Sequence, residues 1–170
     1  DAPLSELGQR QAEAVGERLA NARIGRVYSS DMKRAHDTAK AIAKHHGLEP
    51  VVMPGLKEID LWQRAPQDKG LLEIYTREQL ADVYREVTRT RRHDAYPFCE
   101  DVDSFRTRVF AALDEAIAES HGMRIVVACH GGVINAILSR VLGSAFDHLV
   151  AVHHTSISVM RAADTRRVIL

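Results

Sequence analysis

A chain of 170 residues, 45% hydrophobic and 27% charged, can bury one shared core and has the composition of an ordinary soluble globular domain. Its 23 basic and 23 acidic side chains cancel, so no net field draws it to nucleic acid or to an anionic membrane, and any anion site must be local. Only two cysteines, Cys99 and Cys129, are present, and no apolar run could span a bilayer, which argues against a disulfide scaffold or membrane helix and for a reducing cytoplasm.

Ser5 is placed to cap a first helix, with Leu7, Ala14, Val15, Leu19 and Ala22 on one face and an end near residues 21–23. A strand is expected over Ile24 to Ser29. Ser29, Ser30 and Asp31 offer caps for a second helix, whose stripe is Met32, Ala35, Ala39, Ile42, Ala43 and His46, with Gly47 at its C′ position. Glu49 to Met53 reads as another short strand, closed by Pro54-Gly55.

From Leu56 to Tyr96 charge replaces strand pattern. Thr76-Arg77-Glu78-Gln79 is a capping-box signature, predicting a helix to about Arg91 with Leu80, Val83, Tyr84 and Val87 inward. Arg85, Arg89, Arg92 and nearby His93 make either a solvated face or a basic lid over a substrate. Pro97 closes this helical insertion, at about residues 64–96. Val102, Phe105, Val109, Leu113, Ala116 and Ile117 define a long amphipathic helix. Ile125 to Cys129 reads as a strand buried on both faces. His130, two glycines and a helix from about Val133 to Leu142 follow. A strand over Thr155 to Arg161, a turn at Asp164-Thr165 and a last strand over Arg166 to Leu170 complete the chain. Alternating strands and helices without a linker predict one α/β domain over residues 1–170, a three-layer α/β/α sandwich around a mostly parallel sheet.

Common nucleotide, zinc-protease and serine-hydrolase motifs are absent. The pairs His45-His46 and His153-His154 have no carboxylate cluster beside them, and adjacent residues of a strand face opposite ways, so no metal is expected. Three candidates remain: Arg34 just inside the second helix, Glu58 after a strand, and His130. Each follows a strand that can end on the same sheet edge. His130 with Gly131 would place a ring and free helix N–H groups where an anion can sit. A packed histidine closing the strand accounts for the spacing equally well. Arg34 suits phosphate because its planar fork donates two parallel hydrogen bonds.

The run Ser29-Ser30-Asp31-Met32-Lys33-Arg34-Ala35-His36-Asp37-Thr38-Ala39 resembles the S-S-x-x-x-R-A-x-x-T-A signature of the histidine phosphatase superfamily, the phosphoglycerate mutase-like proteins. Ala128-Cys129-His130-Gly131-Gly132-Val133-Ile134 is similar to its second histidine motif. Residues 1–12 resemble the segment after its nucleophile loop, Leu56-Lys57-Glu58-Ile59 its acidic segment, and Glu100 with Arg108 a further pair. The motifs span the chain in order.

The resemblance implies phosphoryl transfer in two steps. A histidine of an Arg-His-Gly motif attacks phosphorus, and the phosphohistidine is discharged by water or a second substrate oxygen. Arg34, His130 and Gly131 would hold the phosphate, while Glu58 would protonate the leaving oxygen and later activate the acceptor. Neither metal nor diffusible cofactor is implied. The partner would be a small phosphorylated metabolite, not nucleic acid or membrane, with a second copy of the chain a possible further partner.

Three departures accompany the likeness. Arg-His-Gly is absent from residues 1–170; because Asp1 is not an initiator and the flanking motif begins mid-stride, the nucleophile is expected upstream. A frequent Trp-Glu-Gly is reduced to Trp62 in Ile59-Asp60-Leu61-Trp62-Gln63-Arg64, leaving Asp60 as an alternative proton donor. Pro97-Phe98-Cys99-Glu100-Asp101 replaces Pro-Gly-Gly-Glu-Ser, so Phe98 either narrows the pocket or fills a gap. A metabolite phosphatase is the first expectation. A phosphoglycerate-mutase-type transferase and a catalytically inactive phosphate-binding or scaffold module are the alternatives.

Overall fold

The computed structural model describes residues 1–163 and 166–170. Helix α1, Glu6–Leu19, starts at Ser5, whose hydroxyl accepts the Gly8 N–H at 3.2 Å. Strand β1 is Arg26–Ser29, and α2, Lys33–Ala43, runs into a 3-10 turn ended by Gly47 at φ +64°. Strand β2 is Val51–Val52, followed by a 3-10 turn over Pro54–Leu56. Between that turn and residue 96 lie α3, Leu71–Ile74, and α4, Arg77–Thr90, the latter started by the reciprocal Thr76–Gln79 bonds of a capping box. Helix α5, Val102–Glu119, is capped by Asp101, and leads into β3, Ile125–Ala128, and α6, Gly131–Leu142. Strands β4, Met160–Ala163, and β5, Arg166–Ile169, close the fold.

The central sheet has the order β2-β1-β3, with both pairings parallel. Alternation along its strands sends side chains to opposite faces. Val27 joins Val15, Ala39, Ile42 and Ala43 beneath α1 and α2. Tyr28 joins Phe105, Val109, Ala116, Val133 and Ala136 beneath α5 and α6. The three-layer α/β/α sandwich is thus formed around a parallel sheet whose strands all end on one edge.

Several elements differ from the sequence expectation. The strand placed at Glu49 to Met53 shrinks to two residues, because it is an exposed outer strand and Pro50 has no N–H for the ladder. The strand at Ile125 is half-buried rather than buried on both faces; among the described residues only β1 pairs with it. Helix α6 begins at Gly131, two residues earlier than apolar periodicity alone marks. The strand expected from Thr155 starts at Met160, since Thr155 lies in a turn at φ +55°. Strands β4 and β5 pair antiparallel as a separate ribbon; the turn read at Asp164-Thr165 falls outside the described residues.

Candidate active site

Because the three strands are parallel, the residues that follow them meet at one edge. Arg34 is the second residue of α2, after β1. Glu58 follows β2 and the Pro54–Leu56 turn. His130 is the N-cap residue of α6, directly beyond β3.

His130 is buried, and its Nε2 lies 2.7 Å from the Ser30 hydroxyl, itself fully buried. That hydroxyl also accepts the Met32 N–H at 3.3 Å. Burial above all, and then the Arg34 charge, depress the His130 pKa to about 4, so its ring is neutral at pH 7. Sequence reading treated Ser29 and Ser30 as helix caps. Instead Ser29 pairs with His36 Nδ1 at 3.0 Å and Ser30 with His130. The start of α2 is satisfied from elsewhere: the Asp1 carboxylate accepts the Lys33 N–H at 2.9 Å and stands 3.9 Å from Arg34.

Glu58 occupies the α6 N-terminus. Its Oε2 accepts the Gly132 N–H at 3.2 Å, and its Oε1 accepts the Ile59 N–H at 3.1 Å. A Cβ on Gly132 would stand 2.5 Å from Oε1 and 3.0 Å from Ile59 Cγ2, so this approach needs glycine. Gly131, also expected to bind phosphate, has ordinary room, with Val152 3.8 Å from a built Cβ. Burial raises the Glu58 pKa; the Gly132 N–H and the Arg34 charge oppose it less strongly. Asp60, the other possible acid, is exposed, and its carboxylate accepts the Trp62 N–H at 3.0 Å.

One buried side chain escaped sequence reading altogether. Asn135, on α6, donates to the carbonyls of Gly131 and Val150 and accepts the N–H groups of Leu149 and Val150. It brackets the 149–150 chain against the helix that carries the site. An asparagine interrupting the apolar run from Val133 to Leu138 was the available signal.

The basic face of the insertion does not reach the site as free charge. Arg85 pairs with Asp82, Arg89 with Glu86, and Arg92 with Asp94. His93 is buried, stacked edge-on with His148 at 4.4 Å, and its backbone N–H donates to Asp147 at 2.9 Å. Phe98 lies against Trp62 and Tyr75 at 6.4 and 6.0 Å, so it fills an aromatic cluster. Among the described residues, no group of three or more His, Cys, Asp or Glu could hold a metal ion, and no helix is long and apolar enough to cross a membrane.

An arginine, a neutral histidine and a half-buried carboxyl at the carboxyl edge of a parallel sheet define an α/β protein with a candidate site for an anionic oxygen ester. The chain belongs to the histidine phosphatase superfamily (branch 1), whose model matches residues 1–170. It is 34% identical over 167 residues to phosphoglycerate mutase-like protein 4 of Arabidopsis thaliana, covering 96% of this chain and 70% of that protein. It is 31% identical over 147 residues to a probable phosphoglycerate mutase, GpmB, of Yersinia pestis, covering 84% of this chain but 65% of the relative, just under two thirds of its length. A mycobacterial glucosyl-3-phosphoglycerate phosphatase superposes with a TM-score of 0.77 at 25% identity, covering 99% of this chain and 86% of that one. The Bacillus stearothermophilus protein YhfR superposes at 0.81 with 19% identity, covering 99% and 83%, a likeness of fold.

Proposed function

We propose that this domain is a phosphatase acting on a small phosphorylated metabolite through a phosphohistidine intermediate. The observation that carries the reading is the Glu58 carboxyl seated on the α6 N-terminus, next in sequence to a buried neutral His130, with the Arg34 charge acting on both. Arg34 grips the phosphoryl oxygens, Gly131 lends its place at the helix start, and His130 donates one hydrogen bond to the transferring group. Ser30 can give its proton to Nε2, which leaves the ring proton on Nδ1 as that donor.

In this reading the nucleophile is the histidine of the family's Arg-His-Gly motif, which residues 1–170 do not contain. In the first step the imidazole nitrogen bonds to phosphorus, the ester oxygen departs, and Glu58 gives that oxygen its proton. In the second, ionised Glu58 takes a proton from water, whose oxygen attacks phosphorus and frees inorganic phosphate and the histidine. A reducing, cytoplasmic setting suits the two unpaired cysteines. The curated relatives named as mutases favour a second reading, in which a substrate hydroxyl replaces water.

Labelled substrate, quenched without acid, should leave the phosphoryl group on the histidine of an Arg-His-Gly motif. Glu58→Gln should lower kcat/KM about 100-fold for alkyl phosphates and only a few-fold for aryl phosphates, whose leaving oxygen needs little protonation. Label on His130, or equal losses on both esters, would overturn the assignment. A chain that takes no label yet binds phosphate would be the inactive module.

A further inference from the structure

The pair Glu100 and Arg108 has no part in the chemistry above, yet its contacts converge on the chain that carries the acid. Arg108 projects from α5 across residues 55–58. Its Nη1 donates to the carbonyls of Gly55 at 3.1 Å and Lys57 at 2.6 Å. Its Nη2 donates to the carbonyl of Glu58 at 3.3 Å and to Glu100 Oε1 at 2.7 Å. The same carboxylate oxygen accepts the Asp60 N–H at 3.2 Å, and the Glu100 N–H donates to the Asp60 carbonyl at 2.8 Å.

This bracket answers a backbone problem. After the Pro54–Leu56 turn the chain leaves helical geometry, so its next carbonyls have no partner in regular structure. The planar guanidinium fork takes two of them, those of Lys57 and Glu58, together with the Gly55 carbonyl inside the turn, which an ammonium could not do in fixed geometry. The fit is close on both sides: a Cβ on Gly55 would lie 2.8 Å from the Arg108 carbonyl oxygen and 2.9 Å from Ala112 Cβ. Leu56 between them is fully buried. With residues 55–60 held at both ends, the Glu58 side chain reaches the α6 N-terminus, where its Oε2 accepts the Gly132 N–H.

We propose that Arg108, braced by Glu100, is the positioning residue for the Glu58 acid: it acts through the backbone of residues 55–58 and sets the carboxyl against Gly132. The proposal rests on Glu58 being the general acid. In this proposal Arg108, paired with Glu100, acts on the backbone of residues 55–58 and not on the phosphate.

The test compares Arg108→Gln, Arg108→Lys, Glu58→Gln and the Glu58→Gln/Arg108→Gln double variant in the full-length protein, using an alkyl and an aryl phosphate across pH. Arg108→Gln should lose tens-fold in kcat on the alkyl ester and under threefold on the aryl ester. Inorganic phosphate, as product inhibitor, should bind within twofold of the parent. The double variant should lose no more than Glu58→Gln alone. Release of Glu58 into water lowers its raised pKa, so the alkaline limb of the alkyl-ester profile should move to lower pH. Arg108→Lys, which keeps charge and packing, should show the same ester split at smaller size and serves if the Gln variant does not fold. Equal losses on both esters, or additive losses in the double variant, overturn the proposal while Glu58→Gln keeps its own split. If Glu58→Gln itself shows no split, the acid assignment fails first, and the positioning role with it.

Discussion

The sheet edge and the segment over residues 64–96 use their polar groups in opposite ways. At the edge, Ser30, His130, Glu58, Asn135 and Arg108 bond to partners distant in sequence and mostly out of water. In residues 64–96, Arg85, Arg89 and Arg92 pair with acids two or three residues away; the first two are exposed and Arg92 is half-buried. Buried bonds between distant elements fix geometry, and losing one strands its partner without solvent. Exposed neighbours along one helix exchange freely with water and contribute little. Substitutions at the edge should therefore change chemistry, whereas those on the insertion face should change almost nothing.

The largest break expected is Gly132→Ala. Its methyl group would collide with Glu58 Oε1 and Ile59, driving the carboxyl off the helix start. We expect a loss of about 100-fold in kcat/KM for alkyl phosphates, matching loss of the acid, with inorganic phosphate still bound. An unchanged rate would mean that the Glu58 seat is not the working position.

Next in size is the junction between the two regions. Asp147 accepts the His93 N–H and pairs with Arg106 of α5, while the His93 and His148 rings meet edge-on. Burial and the neighbouring His148 depress the His93 pKa to about 4. The folded state thus resists a proton that the unfolded chain accepts near pH 6.5, so stability is intact above that value and falls as pH drops toward 4. Tm should fall by roughly 5 °C over that window, and His93→Phe should flatten the fall. An unaltered slope would shift the effect to His130 and His148, whose pKa values are lowered as well.

The smallest effect sharpens the contrast from the other side. Arg85→Ala with Arg89→Ala should change unfolding free energy by under ~1 kcal/mol and leave kcat/KM within about twofold, in low or high salt. A salt-dependent rise in KM would restore the reading of this face as a basic lid.

Much of the scaffold is legible without coordinates, because it depends on short-range rules. Ser5, Thr76 and Gln79 mark helix starts, Gly47 marks a helix end, and Ala35, Ala39, Ile42 and Ala43 mark the buried stripe of α2. The elements that slipped are those with competing constraints, such as β2 beside Pro50 and the turn at Thr155. The positions of Arg34, Glu58 and His130 after successive strands were likewise readable from order along the chain.

Features that are periodic or local can be read from the chain alone: helix and strand, inward and outward faces, caps and turns, and three chemical candidates after successive strands. The pairing of buried hydrogen bonds depends on how distant elements pack. Ser30 turns from cap to partner of a histidine 100 residues on, and Glu58 takes an N–H 74 residues away. Asp1 completes a helix start 32 residues downstream, and His93 leaves the basic face for the interior. The physical reason is one of range. Periods of two and 3.6 residues are imposed by the backbone of a single segment. The partner of a buried polar group is chosen by whichever distant element packing brings within three ångströms.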